Sequence, residues 1–269
     1  MAVNRALLFF LRFLRLPQAW VLAVILAAGC AGNAPAANLV TDGTFQQFVS
    51  GNSLSSTGGY ICQSTGNATC ISNLSNWISS CDTTCGTGAT AASILIHGKS
   101  GSAFNCCGLW AFSDDPSTTG NYIAIDGDRT YGAWIAQSIS GLVAGDTYQL
   151  TFDMAAGQQN GTTGATDEWW DVTFNTTRGA GTVMSTSTIN NPSHSFTGWN
   201  TVVMTLQATS GVEWLQFYAN SHSSGLPPVV LLDNISVVQV IPEPGTLAPM
   251  LAAGIGIVAL SKRRNRSTR

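Results

Sequence analysis

The sequence predicts an all-β protein whose body is an antiparallel β-sandwich. Three observations predict it. Apolar and polar residues alternate over several short segments, Gly, Ser and Asn turns separate those segments, and no stretch of the body has convincing helical periodicity. Between its two ends the chain has about 200 residues, enough to bury a full core as one domain.

In chain order, residues 38–48 are predicted as the first strand, with Leu39, Phe45 and Phe48 as its apolar positions. Residues 51–108 carry weak strand signals and are rich in cysteine. They read as a disulfide-stapled insertion between the first strand and the rest. Residues 121–126 form a short strand ending at the tight turn Asp126-Gly127-Asp128. Residues 133–140 lead through a turn signal at 141–145 into 146–155. There Tyr148, Leu150, Phe152 and Met154 face one way, and Gln149, Thr151 and Asp153 the other. Residues 169–175 repeat the pattern, with Trp170, Val172 and Phe174 opposite Trp169, Asp171 and Thr173. A strand at 197–206 follows. Then 212–219 sets Leu215, Phe217 and Ala219 against Trp214, Gln216 and Tyr218, and 229–238 closes the domain.

Cys62, Cys70, Cys81, Cys85, Cys106 and Cys107 are an even number within 46 positions. In an oxidising compartment they suggest up to three disulfides, with connectivity open. Cys62–Cys70 closes a plausible local loop. The adjacent Cys106 and Cys107 would be strained if paired together, which sends them to Cys81 and Cys85. A metal site would need thiolates with a histidine such as His97, and an exported chain without Cys-x-x-Cys argues against one.

Both ends read as targeting segments. Arg5, Arg12 and Arg15 precede an apolar run from Ala19 to Ala28, and Ala34-Pro35-Ala36 fits a small-x-small cleavage region. Residues 1–37 are therefore a predicted signal peptide. Leu26-Ala27-Ala28-Gly29-Cys30 is a competing loose lipobox, in which Cys30 would be lipidated. At the other end, residues 245–260 are 16 uncharged residues followed by a basic tail at 261–269. As a helix they would span about 24 Å, slightly short of a hydrocarbon core. The one-sided basic residues place the C-terminus in the cytoplasm and the body outside.

Pro242-Glu243-Pro244, the span after it and Arg263-Arg264 resemble the PEP-CTERM sorting signal of Gram-negative bacteria. The resemblance implies recognition by an exosortase-type membrane transpeptidase and cleavage near the motif. Export would use the general secretion machinery and a signal peptidase, with the C-terminal helix as a transient anchor before release to the cell surface or beyond. A plain C-terminal anchor shares the geometry but does not need the Pro-Glu-Pro.

Between the two ends, Lys99, Arg129 and Arg178 are set against thirteen acidic residues, so the body is near −10 although the whole chain is −3. A body this acidic does not seek nucleic acid or anionic lipid.

The body carries its own resemblance. Asn38-Leu39-Val40-Thr41-Asp42-Gly43-Thr44-Phe45, Tyr122-Ile123-Ala124-Ile125-Asp126-Gly127, Ile135-Ala136-Gln137-Ser138-Ile139, residues 145–153 and Leu232-Asp233-Asn234-Ile235-Ser236-Val237 are similar to the motifs of jelly-roll carbohydrate-binding modules and related galactose-binding-like domains. The resemblance covers most of residues 38–239 and implies a jelly-roll sandwich. It also implies a structural calcium where the first strand meets the last. Asp233 fits that site, whereas Gln46 stands where an acid is expected, so no cofactor is assigned beyond this possible ion.

No catalytic constellation stands out. His97, His194 and His222 lie in turn-like contexts. Glu168 and Asp171 beside Trp169 and Trp170, and Glu213 before Trp214, would need a suitable separation to cleave a glycoside; a solvated rim explains them more simply. The polar sides of three strands pool Gln149, Thr151, Asp153, Trp169, Asp171, Trp214, Gln216 and Tyr218. Of these, Trp169, Asp171, Trp214, Gln216 and Tyr218 are the candidate sugar-binding residues, suited to stacking on sugar rings and bonding hydroxyls. Alternatively Trp169 and Trp214 pack under loops or pair across strands. The expected protein is thus a non-enzymatic, exported surface or matrix protein of exopolysaccharide or biofilm. An ice-surface binder or adhesin and a secreted glycan hydrolase are the alternatives; the first lacks a regular Thr-x-Thr array.

Overall fold

Every run of the body from residue 121 onward that alternates in sequence becomes a strand in the computed structural model. The structure describes residues 36–47, 59–60, 74–80, 94–97, 109–110, 120–223 and 226–241. Contacts divide the chain into two compact units, residues 1–36 and 37–269; the description that follows is of the second. The signal-peptide region through residue 35, Cys30, the six clustered cysteines, the sorting motif at 242–244, the span 245–260 and the basic tail lie outside the described residues. Among the described residues no helix is long and apolar enough to cross a membrane.

Twelve strands are described: β1 (Gly59–Tyr60), β2 (Ile78–Ser79), β3 (Ile94–His97), β4 (Tyr122–Asp126), β5 (Trp134–Ser140), β6 (Thr147–Gln158), β7 (Thr166–Asn175), β8 (Met184–Ser185), β9 (Ile189–Asn191), β10 (Asn200–Gln207), β11 (Val212–Asn220) and β12 (Pro228–Gln239). They form two antiparallel sheets. The first runs β1-β3-β4-β12-β6-β10 and the second β2-β5-β11-β7-β8, with β9 also on β7. Thus β4-β12-β6-β10 faces β5-β11-β7-β8. Each sheet interleaves strands from the two ends of the domain, which is the jelly-roll arrangement.

Alternation decides what faces inward. Leu150, Phe152 and Met154 of β6, Trp170 and Val172 of β7, Leu215 and Phe217 of β11 and Val230, Leu232 and Val237 of β12 meet in one core between the sheets. Phe152 meets Phe217 edge-on across the layers, with ring centres 5.0 Å apart. A second apolar cluster forms on the outer side of the first sheet. There Tyr122, Ala124, Ala155 and Leu231 lie under Leu109, Phe196 and Trp199.

One expectation is corrected. Residues 38–47 are bends and turns, not a strand. Asp42 and Phe45 adopt left-handed φ of 55°, which interrupts the extended repeat of a strand twice within four residues. The Asp42 carboxylate accepts the backbone N–H groups of Gln46 and Gln47 at 2.6 and 2.8 Å. That local bonding competes with a ladder, while Phe45 still reaches the core. Gly43 is obligatory here because a Cβ would stand 2.1 Å from the Ile235 carbonyl oxygen. The contact falls beside the bulge of β12 between Asp233 and Ser236.

The stretch at 51–108, read as a disulfide-stapled insertion between the first strand and the rest, has short strands among its described residues, and they join both sheets. β1 and β3 extend the first sheet from β4, and β2 adds to β5 of the second. Trp77, 1 % exposed, belongs to the core and donates its indole N–H to the Asp42 carbonyl. Buried Gln137 clasps the same region, bonding Thr41 through both amide atoms and the Asn76 carbonyl as well.

Candidate functional site

The register of the second sheet fixes its outward rows. Trp134 stands opposite Tyr218, which stands opposite Asp171, and Asp171 opposite Ser185. The next outward positions align Ala136, Gln216 and Thr173, then Ser138, Trp214 and Asn175; toward the other end Asn220 faces Trp169. All five candidate sugar-binding residues, Trp169, Asp171, Trp214, Gln216 and Tyr218, therefore share this face. Gln149, Thr151 and Asp153, expected to join them, do not. They lie on β6, on the outer side of the opposite sheet, paired with Thr205, Val203 and Thr201 of β10. Alternation sets the side of a strand, not the sheet to which it belongs.

The loop between β7 and β8 folds over this face. The Arg178 guanidinium sits 4.3 Å from the ring centre of Trp134 and 5.8 Å from that of Trp214, a cation–π arrangement with both. Gly179, at φ 71°, packs against the Gln216 amide, where a Cβ would be 3.3 Å from its nitrogen. Gln216 is buried, while Trp134, Trp214 and Tyr218 remain half-buried. Asp171 accepts hydrogen bonds from the Trp169 indole, the Ser185 hydroxyl and the Asn220 amide at 3.2, 2.5 and 2.9 Å. Trp134 and Arg178 were not singled out from the sequence. Trp134 opens a strand rather than sitting within it, and Arg178 belongs to a loop.

Trp169 is buried beneath other groups. His222 lies over its ring at 4.6 Å and Arg129 at 5.2 Å. The His222 ring nitrogen Nδ1 contacts Asp167 Oδ2, and Asp167 also accepts the His222 backbone N–H at 2.9 Å and the hydroxyls of Ser221 and Ser223. Burial raises the Asp167 pKa, but the His222 and Ser221 hydrogen bonds and the histidine charge outweigh it, so the carboxyl titrates below its ordinary value. An ionised carboxylate only accepts, so Nδ1 carries the hydrogen and Nε2 is left for solvent or a ligand. An open groove of about 570 Å³ begins here, lined by Thr166, Asp167, Asn190, Asn191, His222 and Ser223. His194 is elsewhere, beside Thr163 at 3.0 Å and stacked on Trp110.

The acidic residues read as a solvated rim are largely buried, which corrects that expectation. Glu168 is 0 % and Glu213 1 % exposed. Glu168 has the same parity as Trp170 and so points inward at the end of the sandwich. Burial, reinforced by the charges of Asp167 and Asp126, pushes its pKa up to about 8 although nearby Thr166 opposes the shift. Glu213 instead ties the β10–β11 turn, taking the Thr209 N–H and hydroxyl and the Ser210 N–H on Oε1.

At Asp126-Gly127-Asp128, read as a tight turn, the Gly127 N–H still bonds the Pro228 carbonyl at 2.7 Å, and the turn follows over 128–131, closed by the Tyr131 N–H on the Asp128 carbonyl at 3.0 Å. The Asp128 N–H bonds the Asp126 carboxylate, and Gly127 is pressed against the Asn220 carbonyl. Burial also raises Asp126, to about 6, against the hydrogen bond from Asp128 N–H and with the Asp128 charge adding to the rise. Asp233 is wholly buried opposite Asp153. Asp42, the acid before Gln46, already holds two backbone N–H groups. Among the described residues no group of three or more His, Cys, Asp or Glu is arranged to hold a metal.

No family model and no curated protein matches the sequence. Among solved structures, the chain is similar to a cyclase from Fischerella sp. TAU in complex with 4-(1H-indol-3-yl)butan-2-one, at 14 % identity and TM-score 0.46, over 77 % of this chain and 100 % of that one. It is similar to the carbohydrate-binding module TmCBM61 in complex with beta-1,4-galactotriose, at 12 % identity and TM-score 0.37, over 76 % and 99 %. It is also similar to the enzymatically active domain of bacteriophage CBA120 tailspike protein 4, at 13 % identity and TM-score 0.36. The match covers 76 % of this chain but spans 21 % of the tailspike. The jelly roll itself rests on the strand order given above, and the ligand and activity of this chain are argued from its own residues.

Proposed function

We propose that this is an exported, non-catalytic surface or matrix protein that holds extracellular polysaccharide on the outward face of its second sheet. On this reading the general secretion machinery and a signal peptidase take the chain across the inner membrane. The C-terminal span then retains it until an exosortase-type transpeptidase acts at Pro242-Glu243-Pro244.

The observation that carries the binding half is the outward face itself. Trp134, Trp214 and Tyr218 are half-buried in one sheet surface, and the Arg178 guanidinium lies between the two indoles. Aromatic planes receive the apolar side of a sugar ring, and flanking donors and acceptors take its hydroxyls. The body's excess of acid over base favours a neutral chain over an acidic one. Glu168, the carboxyl protonated at neutral pH, has no exposed surface on which to meet a glycosidic oxygen, and this supports binding without turnover.

The binding test is a glycan array probed with the full chain in a sugar-free detergent. Wild type is expected to retain a neutral polysaccharide, and Trp134→Ala with Trp214→Ala to weaken retention by about tenfold or more, the equivalent of 1.4 kcal/mol. Unchanged retention by the double variant rules out this face. Sorting is checked by intact mass spectrometry of the exported fraction. The expected mature chain ends near Pro242-Glu243-Pro244, and a mature C-terminus at Arg269 would end the sorting proposal.

A further inference from the structure

We propose that one end of the sandwich rests on a lipid surface. It is the end formed by the β5–β6 turn, the β10–β11 turn and the close of β12. There Val143, Val212, Val240 and Ile241 would enter the headgroup layer of a zwitterionic bilayer. The partner rests on the reading above that the span at 245–260 holds the chain in a membrane; the end that meets it rests on separate observations.

Six large apolar side chains stand exposed among the described residues, and four of them are at this end. Val143 is 52 % exposed, Val212 51 %, Val240 46 % and Ile241 47 %. Single exposed valines are ordinary on a protein surface, whereas a group at one end of a fold marks a contact. The four span both layers. Val212 opens β11 of the second sheet, with the parity of outward Trp214. Val240 and Ile241 follow β12 of the first sheet, and Val143 lies in the turn that crosses from β5 to β6, from one sheet to the other.

Hydrogen bonds make this end a fixed platform. The Leu142 N–H bonds the Gly211 carbonyl at 3.2 Å and the Gly145 N–H the Ala208 carbonyl at 2.7 Å, which ties the two turns together. The Val143 N–H donates to the Tyr148 hydroxyl at 2.8 Å, and the Val240 N–H to the Thr147 carbonyl at 2.9 Å. The body is strongly acidic, yet residues 141–146 and 208–211 include a single acid, Asp146, whose Oδ2 accepts the Gln239 amide at 2.6 Å. Glu213, just past the second turn, is 1 % exposed. A zwitterionic surface therefore meets little charge here that has to be stripped of water.

Chain length decides which surface covers the patch. After Ile241 only residues 242–244 precede the span. Fully extended, that connection covers about 14 Å, while the headgroup layer on each side of the hydrocarbon core is about 5–8 Å thick. A folded domain on so short a connection has its exit end at the bilayer, and Ile241 is that exit. The 16-residue span is itself shorter than the core, which draws the exit closer. Apolar side chains gain by leaving water at such an interface, and the polar turns remain among the headgroups. Docked this way, the domain presents Pro242-Glu243-Pro244 at the bilayer surface.

The test is methyl NMR of the full chain, labelled at valine, in phosphatidylcholine nanodiscs that carry a nitroxide near the top of the acyl chain. The expected result is loss of the Val143, Val212 and Val240 signals, while Val229, at the far end of β12, keeps its intensity. Val203, at least as exposed but within β10, should be broadened less. Val143→Asp is expected to restore the Val212 signal about threefold or more, because a carboxylate draws this end out of the interface. Val212→Asp, read at Val143, gives the same answer if the first variant does not fold. Val143 and Val212 signals no weaker than that of Val203 overturn the proposal. So does a Val212 signal indifferent to Val143→Asp, because the short connection alone then keeps the domain near the lipid. A chain that does not enter nanodiscs removes the anchor and the docking together. If it enters and the valines stay sharp, the docking falls and the anchor stands. If they broaden while the exported protein ends at Arg269, the docking stands and the sorting reading falls.

Discussion

Glu168→Gln is expected to stabilise the protein at alkaline pH by several kcal/mol and to leave it nearly unchanged at pH 5. The side chain is wholly buried, and its carboxyl titrates at about 8 in the fold against an ordinary 4.5. Between those values the folded state keeps a proton that the unfolded chain releases. Folding then takes up a proton, so stability falls as pH rises through that window. The contribution is complete below about 4.5, where both states are protonated, and fully lost above about 8. Across the window the loss approaches about 5 kcal/mol. Asp126, raised to about 6 by the same burial, deepens the decline. Glutamine has the shape of the protonated acid and never ionises, so the variant escapes Glu168's share. For a domain of this size about 3 kcal/mol corresponds to roughly 6–12 °C in Tm. Differential scanning calorimetry at pH 5, 7 and 8.5 should show the two curves separating as pH rises. Parallel pH profiles for wild type and variant would show that Glu168 ionises freely in the fold.

Glu168 also shows where the sequence could be read and where it could not. Its inward direction was already implied by the β7 alternation, since it shares parity with Trp170 and Val172. Its burial depends on the end of the sandwich, which is closed by residues far away in the chain. The alternation likewise revealed the long strands β5, β6, β7, β11 and β12, because each offers three or more inward positions in a row. Strands of two or three residues, such as β8 and β9, have no period to detect. The segment at 38–47 has apolar spacing that imitates a strand, and the Asp42 carboxylate overrides it by capturing the backbone N–H groups of Gln46 and Gln47. The outward face was partly legible. Trp169, Asp171, Trp214, Gln216 and Tyr218 fall on it, yet nothing local tells that β6 belongs to the opposite sheet. The groove was not legible at all, since Asp167 and His222 are 55 residues apart and meet through the pairing of β7 with β11.

Trp170→Ala is expected to cost about 3–5 kcal/mol, the range for removing a large aromatic side chain from a core. Trp170 is 0 % exposed and connects the two sheets. From β7 its indole N–H reaches the Leu231 carbonyl of β12 in the other sheet at 3.2 Å. Its ring meets Phe217 edge-on at 5.9 Å, and Phe217 in turn meets Phe152 of the first sheet. Alanine removes the ring, leaves a cavity at the centre of the sandwich and withdraws one donor from a buried carbonyl. Trp170→Phe separates these effects, because it keeps an aromatic ring there and loses the N–H together with part of the volume. Its cost should be clearly the smaller of the two, about 1–3 kcal/mol. Urea denaturation of the two variants measures both. If alanine and phenylalanine are equally costly, the hydrogen bond to Leu231 rather than packing joins the layers at this point. If alanine costs under about 1 kcal/mol, the surrounding core closes over the gap and Trp170 is not the member that holds the sheets together.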